Sequence, residues 1–308
     1  MKMTRFFPEG ILTGTDENKA AVSSAYALEE AMHEGRILEA RAVMCDSDHN
    51  LIVDLGGVRG IIPREEGAVG IREGTVRDIA VISRVNRPVC FIVTQLDKEN
   101  GELVARLSRR AAQERCVSCY IEKLAPGDVI DARITHLEHF GAFADIGCGI
   151  ASLLPIDAVS VSRIEHPSQR FRVGQAIRAV VRSREGGRVC LSHKELLGTW
   201  EENAAAFAPG ETVPGIVRSV ESYGAFVELA PNLAGLAELR ADLRPGMKVS
   251  VYIKSIIPKK MKIKLIVIDA FDDEIKPEKP RYFFSGNKME RFRYSPEDCE
   301  KLVETVFT

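Results

Sequence analysis

Two stretches of this chain repeat one another at a spacing of 83 residues. The first runs Gly127-Asp-Val129-Ile-Asp-Ala-Arg-Ile134, then Phe140-Gly141-Ala142-Phe143-Ala-Asp145-Ile146. The second runs Gly210-Glu-Thr-Val213-Pro-Gly-Ile-Val217, then Tyr223-Gly224-Ala225-Phe226-Val-Glu228-Leu229. A unit of that length is too long for a solenoid repeat and suits a small barrel. Each copy sets two aromatics beside a glycine in a strand context. That arrangement recurs where rings are offered to unstacked bases. Whatever this chain folds into must therefore accommodate two similar β units, each with a pair of rings near one turn.

Reading outward from the repeat divides the rest. Residues 1–33 form an N-terminal helical segment, with a helix expected over 16–33, Asp16 as its N-cap and Gly35 as its stop. Residues 34–110 carry strand signals: alternation over Arg36–Val43, the apolar run Leu51–Leu55, a Gly56-Gly57 turn and Gly60-Ile61-Ile62-Pro63. Strands are expected near Ile79–Val85 and Val89–Leu96, and Asn100-Gly101 is a two-residue hairpin signal before Leu103–Ser108. Arg109–Lys123 reads as a helical or irregular linker. The second unit spans 124–196, a linker helix is expected over 197–208 because Glu195–Phe207 is rich in Ala and Glu, and the third unit spans 209–269. In the C-terminal extension 270–308, Pro277-Glu-Lys-Pro280 reads as an extended spacer. Ser295-Pro296-Glu297-Asp298 reads as the start of a short helix. Five-stranded units with a short helical insertion are the pattern of the OB barrel. The expected fold is all-β: three tandem five-stranded OB barrels with short linking helices and a small C-terminal tail.

Charge is segregated rather than large. Net charge is −2, yet no carboxylate interrupts Arg244–Ile268, which holds Lys254, Lys259, Lys260, Lys262 and Lys264. Arginines dominate 163–194 in the preceding unit. A charge run is ordinarily a solvated face, but its recurrence at the same place in two repeats points to a functional patch. Seven cysteines include one CxxC, Cys116-Val-Ser-Cys119. It lacks a second ligand pair at zinc spacing, so reduced thiols without metal are expected. No apolar run reaches the roughly 18 residues of a membrane span. Met1–Pro8 has no apolar stretch of signal-peptide length, so a cytoplasmic protein is expected. GxSxG, P-loop and HExxH motifs are absent, which argues against an enzyme.

These residues together resemble the S1-type RNA-binding domain, the repeat of the largest protein of the bacterial small ribosomal subunit and its shorter homologues. In unit two the matching elements are Gly127, Phe140-Gly-Ala-Phe143, Ser152-Leu153-Leu154-Pro155, Gly174 and Arg188-Val-Cys-Leu191-Ser192. In unit three they are Gly210, Tyr223-Gly-Ala-Phe226, Gly235-Leu236, Gly246 and Lys262-Ile-Lys264-Leu265. Unit one is a diverged copy, with His49-Asn50-Leu51-Ile52 where the others have the aromatic pair. Pro155 and Glu238 stand where many family members carry a histidine.

The resemblance implies single-stranded RNA bound with little sequence demand, specifically mRNA at the small ribosomal subunit. Small-subunit proteins would be partners, unit one would anchor on a protein surface, and no cofactor or membrane would be needed. Strict alternation would put Phe140 and Phe143 on opposite faces. A bulge at Gly141 would reset this, so both rings are expected outside. The candidate RNA contacts are Phe140, Phe143, Arg178, Arg182 and Arg188 in unit two, and Tyr223, Phe226, Lys254, Lys260, Lys262 and Lys264 in unit three. Asp145 and Glu228 are expected to be exposed, solubilising positions. The rival reading is a protein-docking adaptor, or an accessory factor of RNA decay or transcription.

Overall fold

The computed structural model describes residues 6–272 and 278–308, so Pro277 of the expected spacer lies outside the described residues. The chain divides into two compact units, residues 1–124 with 145–151 and residues 125–144 with 152–308.

Unit 1 opens with α1 (Asp16–Ala21) and α2 (Ala25–His33). The single helix expected over 16–33 is thus broken. Ser24 restarts it, because its side chain accepts the Ala27 N–H and caps α2, while Thr15 rather than Asp16 caps α1. Then come β1 (Ile37–Cys45), β2 (Leu51–Asp54), β3 (Arg59–Ile62), α3 (Ile79–Ile82), β4 (Pro88–Glu99), β5 (Glu102–Ser108) and α4 (Arg109–Cys119). Ile79–Ile82 is one helical turn and not a strand. A four-residue apolar run cannot be assigned by periodicity alone, and only Val81 of it is buried. The strands close as β1-β2-β3-β5-β4, with β4 returning to β1. Leu38, Leu51, Val53, Phe91, Val93 and Leu107 fill the barrel together with Leu28 of α2. Asn100 and Gly101 both take positive φ, which the tight β4–β5 hairpin requires.

Unit 2 repeats the topology twice. The second barrel is β6 (Val129–Glu138), β7 (Gly141–Asp145), β8 (Ala151–Pro155), β9 (Ala176–Glu185) and β10 (Arg188–Ser192), closed by β9 on β6. A 3-10 turn at Lys194–Leu197 leads to Gly198 and then to α5 (Trp200–Ala204). The expected linker helix is interrupted because Gly198 takes φ +85. Thr199 and Glu202 then start α5 with a reciprocal capping box. The third barrel is β11 (Thr212–Glu221), β12 (Gly224–Ala230), β13 (Leu233–Ala237), β14 (Lys248–Ile257) and β15 (Lys262–Phe271), again closed, β14 on β11. The fold is therefore all-β with three OB-type barrels, as the repeat predicted.

The tail ends in β16 (Arg291–Arg293) paired with β17 (Glu304–Val306), and the helix expected at Ser295 does not form. Its capping groups are taken by the hairpin. The Ser295 hydroxyl accepts the Val303 N–H, and the Arg293 guanidinium donates to the Pro296 and Glu297 carbonyls. Earlier in the tail, Asn287 O accepts the Val129 N–H and the Met289 N–H donates to Gly127 O, extending the edge of β6. Tyr282, Phe284, Met289 and Phe307 then cover Val180 and Leu196 of the second barrel.

One histidine underlies this attachment. His193 is fully buried, with Nδ1 at 3.0 Å from Val159 O and Nε2 at 3.3 Å from the Tyr282 hydroxyl. Only a neutral ring can donate to one and accept from the other. Burial lowers its pKa from 6.5 to about 4. Between those values the unfolded chain binds a proton that the folded chain refuses. The contribution of His193 to stability is therefore complete above about pH 6.5 and falls by roughly 3 kcal/mol as pH drops toward 4. In urea titrations at pH 7 and pH 4.5, the wild-type chain should lose stability relative to His193→Gln by about this amount as pH falls. Equal losses would place the acid sensitivity elsewhere.

Candidate nucleic-acid interface

The paired rings sit at the same place in both repeats. Phe140 and Tyr223 lie on the turns before β7 and β12, while Phe143 and Phe226 lie on those strands. Phe140 is 57% exposed and Tyr223 66%, with Phe143 and Phe226 half-buried beneath them. The rings meet edge to face, at 6.1 Å and 86° in one pair and 6.2 Å and 89° in the other. Both rings of each pair reach the surface because the first belongs to a turn and escapes the strand's alternation. In the third barrel no bulge sits at the matching glycine: Glu221–Gly224 and Val220–Ala225 pair in regular register. The glycine serves another need. A Cβ on Gly224 would stand 2.4 Å from the Ala237 carbonyl oxygen, and one on Gly141 2.4 Å from the Leu154 carbonyl oxygen.

The bulges lie elsewhere, and they turn cations outward. In the third barrel Ile253 pairs with Leu265 and Ser255 with Lys264, leaving Lys254 out of the ladder. In the second, Leu191 pairs with Val181 and Cys190 with Ser183, leaving Arg182 out at the matching point. A bulge bends its strand and re-aims one side chain, and both of these residues are exposed. Register then draws a row across the third barrel's sheet: Phe226 opposite Leu236, Leu236 beside Lys264, Lys264 opposite Ser255. Lys262, two residues from Lys264 on β15, shares that face, while Lys260 stands exposed in the turn before the strand. These four lysines have no ion-pair partner among the described residues. Arg188 is exposed at the start of β10, and Arg182 pairs loosely with the exposed Asp157 at 3.6 Å.

Unit 1 offers neither rings nor free cations at these points. Its matching bulge residue is Thr94, whose hydroxyl donates to Arg106 O. Arg106 itself is held by Glu99 and Asp97. His49-Asn50 forms a tight turn in which Asp46 accepts the Asp48 and Asn50 N–H groups.

Three expectations change. Arg178 does not face a ligand surface: its guanidinium donates to Phe284 O and Gly286 O at 2.6 Å each, and its N–H donates to the Tyr282 hydroxyl. It docks the tail. Asp145 and Glu228 are not exposed, at 2% and 4%. Asp145 accepts N–H groups of Glu9, Gly147 and Gly149 within unit 1. Burial, with the Glu9 carboxylate nearby, raises it to about 7 despite those donors. Glu228 is gripped by Arg218 of its own barrel at 2.8 and 2.9 Å and by Arg170 of the second. Arg170, Arg218 and the bridging Asn232 gave no sequence signal beyond their charge or polarity. Cys116 is buried and Cys119 exposed on α4, and no group of three potential ligands is placed to hold a metal among the described residues. Among them also, no helix is long and apolar enough to cross a membrane.

Residues 123–194 match the family model for the S1 RNA binding domain. The small ribosomal subunit protein bS1 of Leuconostoc lactis is 30% identical over 248 residues, 75% of this chain and 56% of that protein. The bS1 protein of Staphylococcus aureus (strain COL) is 29% identical over 78% of this chain and 63% of its own length. The chain thus spans between half and two thirds of these relatives. A Streptococcus pneumoniae multidomain protein with nucleic acid binding domains overlaps loosely, at TM-score 0.25 and 13% identity over 76% of this chain and 74% of that one.

The turn glycines should tolerate no side chain. Gly224→Ala and Gly141→Ala should each cost about 1–3 kcal/mol, because the new methyl must displace a paired carbonyl. Urea denaturation tests this, and unchanged midpoints would mean the turns can shift freely.

Proposed function

We propose that this chain, whose second barrel belongs to the S1 RNA binding domain family, binds single-stranded RNA with low sequence specificity. On this reading it acts on mRNA at the small ribosomal subunit, in the cytoplasm, with small-subunit proteins as further partners. The duplicated edge-to-face ring pair carries the reading. An exposed ring costs hydrophobic free energy unless something covers it, and two barrels carry one in the same pose. Stacking of a base on each ring contributes about 1–3 kcal/mol and accepts any sequence. Arg182, Arg188, Lys254, Lys260, Lys262 and Lys264 would follow the phosphate path beside the rings. Tyr223 adds a hydroxyl that can reach a phosphate or a base edge. Relatives named as ribosomal proteins support the setting. A binding role without catalysis accords with the relatives' description as a ribosomal protein.

The rings test the reading directly. Phe140→Ala with Phe143→Ala should weaken binding to a poly-uridine oligomer by about 1–3 kcal/mol per ring while the thermal melt stays put. Unchanged affinity would remove the rings from the interface.

The lysines test the path. Lys254→Gln, Lys262→Gln and Lys264→Gln together should weaken binding equally across sequences. They should also lower the magnitude of the salt slope by about 0.7 for each phosphate no longer neutralised. A wild-type slope in the triple variant would mean that this face points away from RNA.

A further inference from the structure

Glu228 stands two residues beyond Phe226 on β12, so both leave the strand on the same face. The carboxylate is buried because the second barrel lies over it. Arg170, on the connection between β8 and β9, donates to Glu228 Oε2. Arg218 occupies the bulge of β11 between Val217 and Ser219 and grips both oxygens of Glu228. Its remaining nitrogen donates to Gln169 Oε1 at 3.0 Å, so the same connection is held twice. Further hydrogen bonds seal the seam. The Val161 N–H donates to Asn232 Oδ1, the Ser162 N–H donates to Pro231 O, and Asn232 Nδ2 donates to Lys194 O and Gly198 O. Arg170 belongs to the arginine-rich run that suggests RNA contact, yet its side chain is only 10% exposed and its head is committed to a carboxylate.

Resting on the RNA-binding reading above, we propose that Arg170 is a positioning residue: by anchoring on Glu228 it holds the second and third barrels as one composite RNA site. A strand long enough to engage both ring pairs then binds in a single act. Two modules held in register turn the second binding step into an intramolecular one, worth a factor of about 10²–10⁴ over either module alone. That gain disappears if the barrels swing independently out of register. The ion pair sits beside Phe226, on its own strand, so the orientation of the third barrel's ring pair is tied to the second barrel at the point where RNA would cross.

The informative variant is Arg170→Gln. It removes the anchor from the second barrel and leaves Glu228 paired with Arg218, so no lone buried charge is created in the third. The full chain is titrated with uridine oligomers of about 6 and about 24 nucleotides at one salt concentration, a single barrel covering roughly 4–16. The expected result is an unchanged Kd for the short oligomer and at least a tenfold weaker one for the long. The number of binding registers cancels between variant and wild type. Arg170→Lys keeps an N–H toward Glu228 and should fall between the two. Thermal melts run alongside. If Arg170→Gln melts early, Arg170→Lys carries the test with the same pattern. Equal weakening of both oligomers, or of neither, overturns the positioning role. A wild-type chain that binds both lengths alike overturns the composite site while RNA binding stands. A wild-type chain that binds neither overturns the RNA reading itself, a pattern none of the other outcomes produces.

Discussion

Five short strands close into a barrel only if they bend, and bending an antiparallel ladder leaves residues out of it. That constraint organises the rest of the molecule. In the fourth strand of each barrel one residue is expelled by a bulge: Thr94, Arg182 or Lys254. In the first strand of the third barrel the expelled residue is Arg218, and it reaches Glu228. Closure is thus common to all three barrels, while the identity of the expelled residue differs and sets what each surface can do. The same economy explains the turn glycines. Closing the sheet brings the Leu154 and Ala237 carbonyls onto the turns that carry Phe140 and Tyr223, and only hydrogen fits beneath them.

The buried acids follow a different logic. Two carboxylates at matching positions, Asp145 and Glu228, are withdrawn from water, which costs several kcal/mol before partners are counted. Glu228 recovers this through two guanidinium groups, whereas the three backbone N–H donors of Asp145 offset only part of it, and its carboxyl stays raised to about 7. A well-packed apolar pair would serve stability at least as well. What an ion pair supplies in addition is direction. Arg218 meets Glu228 as a fork, and Arg170 can reach the remaining lone pair only from one side. The seam between the second and third barrels is therefore specified in angle as well as in contact.

Much of this was legible in the sequence. The 83-residue repeat announced the barrels, and Asn100-Gly101 announced the hairpin of β4 and β5, both residues taking positive φ as the turn demands. The ring pairs were legible because turn and strand residues are adjacent in sequence. What failed shares one cause: the deciding partner lies far along the chain. Arg178 meets Phe284 and Gly286 across more than 100 residues, and Glu228 meets Arg170 across 58. Alternation assigns Asp145 and Glu228 to an outer face, and it is right about the face. It cannot say that another segment covers it. The broken helix at Ser24 and the helical turn at Ile79–Ile82 failed locally, since a cap and a four-residue apolar run leave the choice to tertiary packing.

All three barrels bury similar apolar cores and close through the same kind of five-stranded sheet, so their differences lie outside. The outer faces diverge at a handful of equivalent positions. Where Lys254 and Lys264 of the third barrel have no ion-pair partner among the described residues, the first has Thr94 bonded to its own backbone and Arg106 neutralised by two acids. A surface arginine paired with Glu99 and Asp97 brings almost no net charge to a passing phosphate, whereas an unpaired lysine brings a full one. The second barrel is intermediate, with Arg188 exposed, Arg182 loosely paired and Arg178 committed to the tail. On the RNA-binding reading, polyanion affinity on a shared scaffold would be graded by which cations have already found carboxylates or carbonyls within the chain.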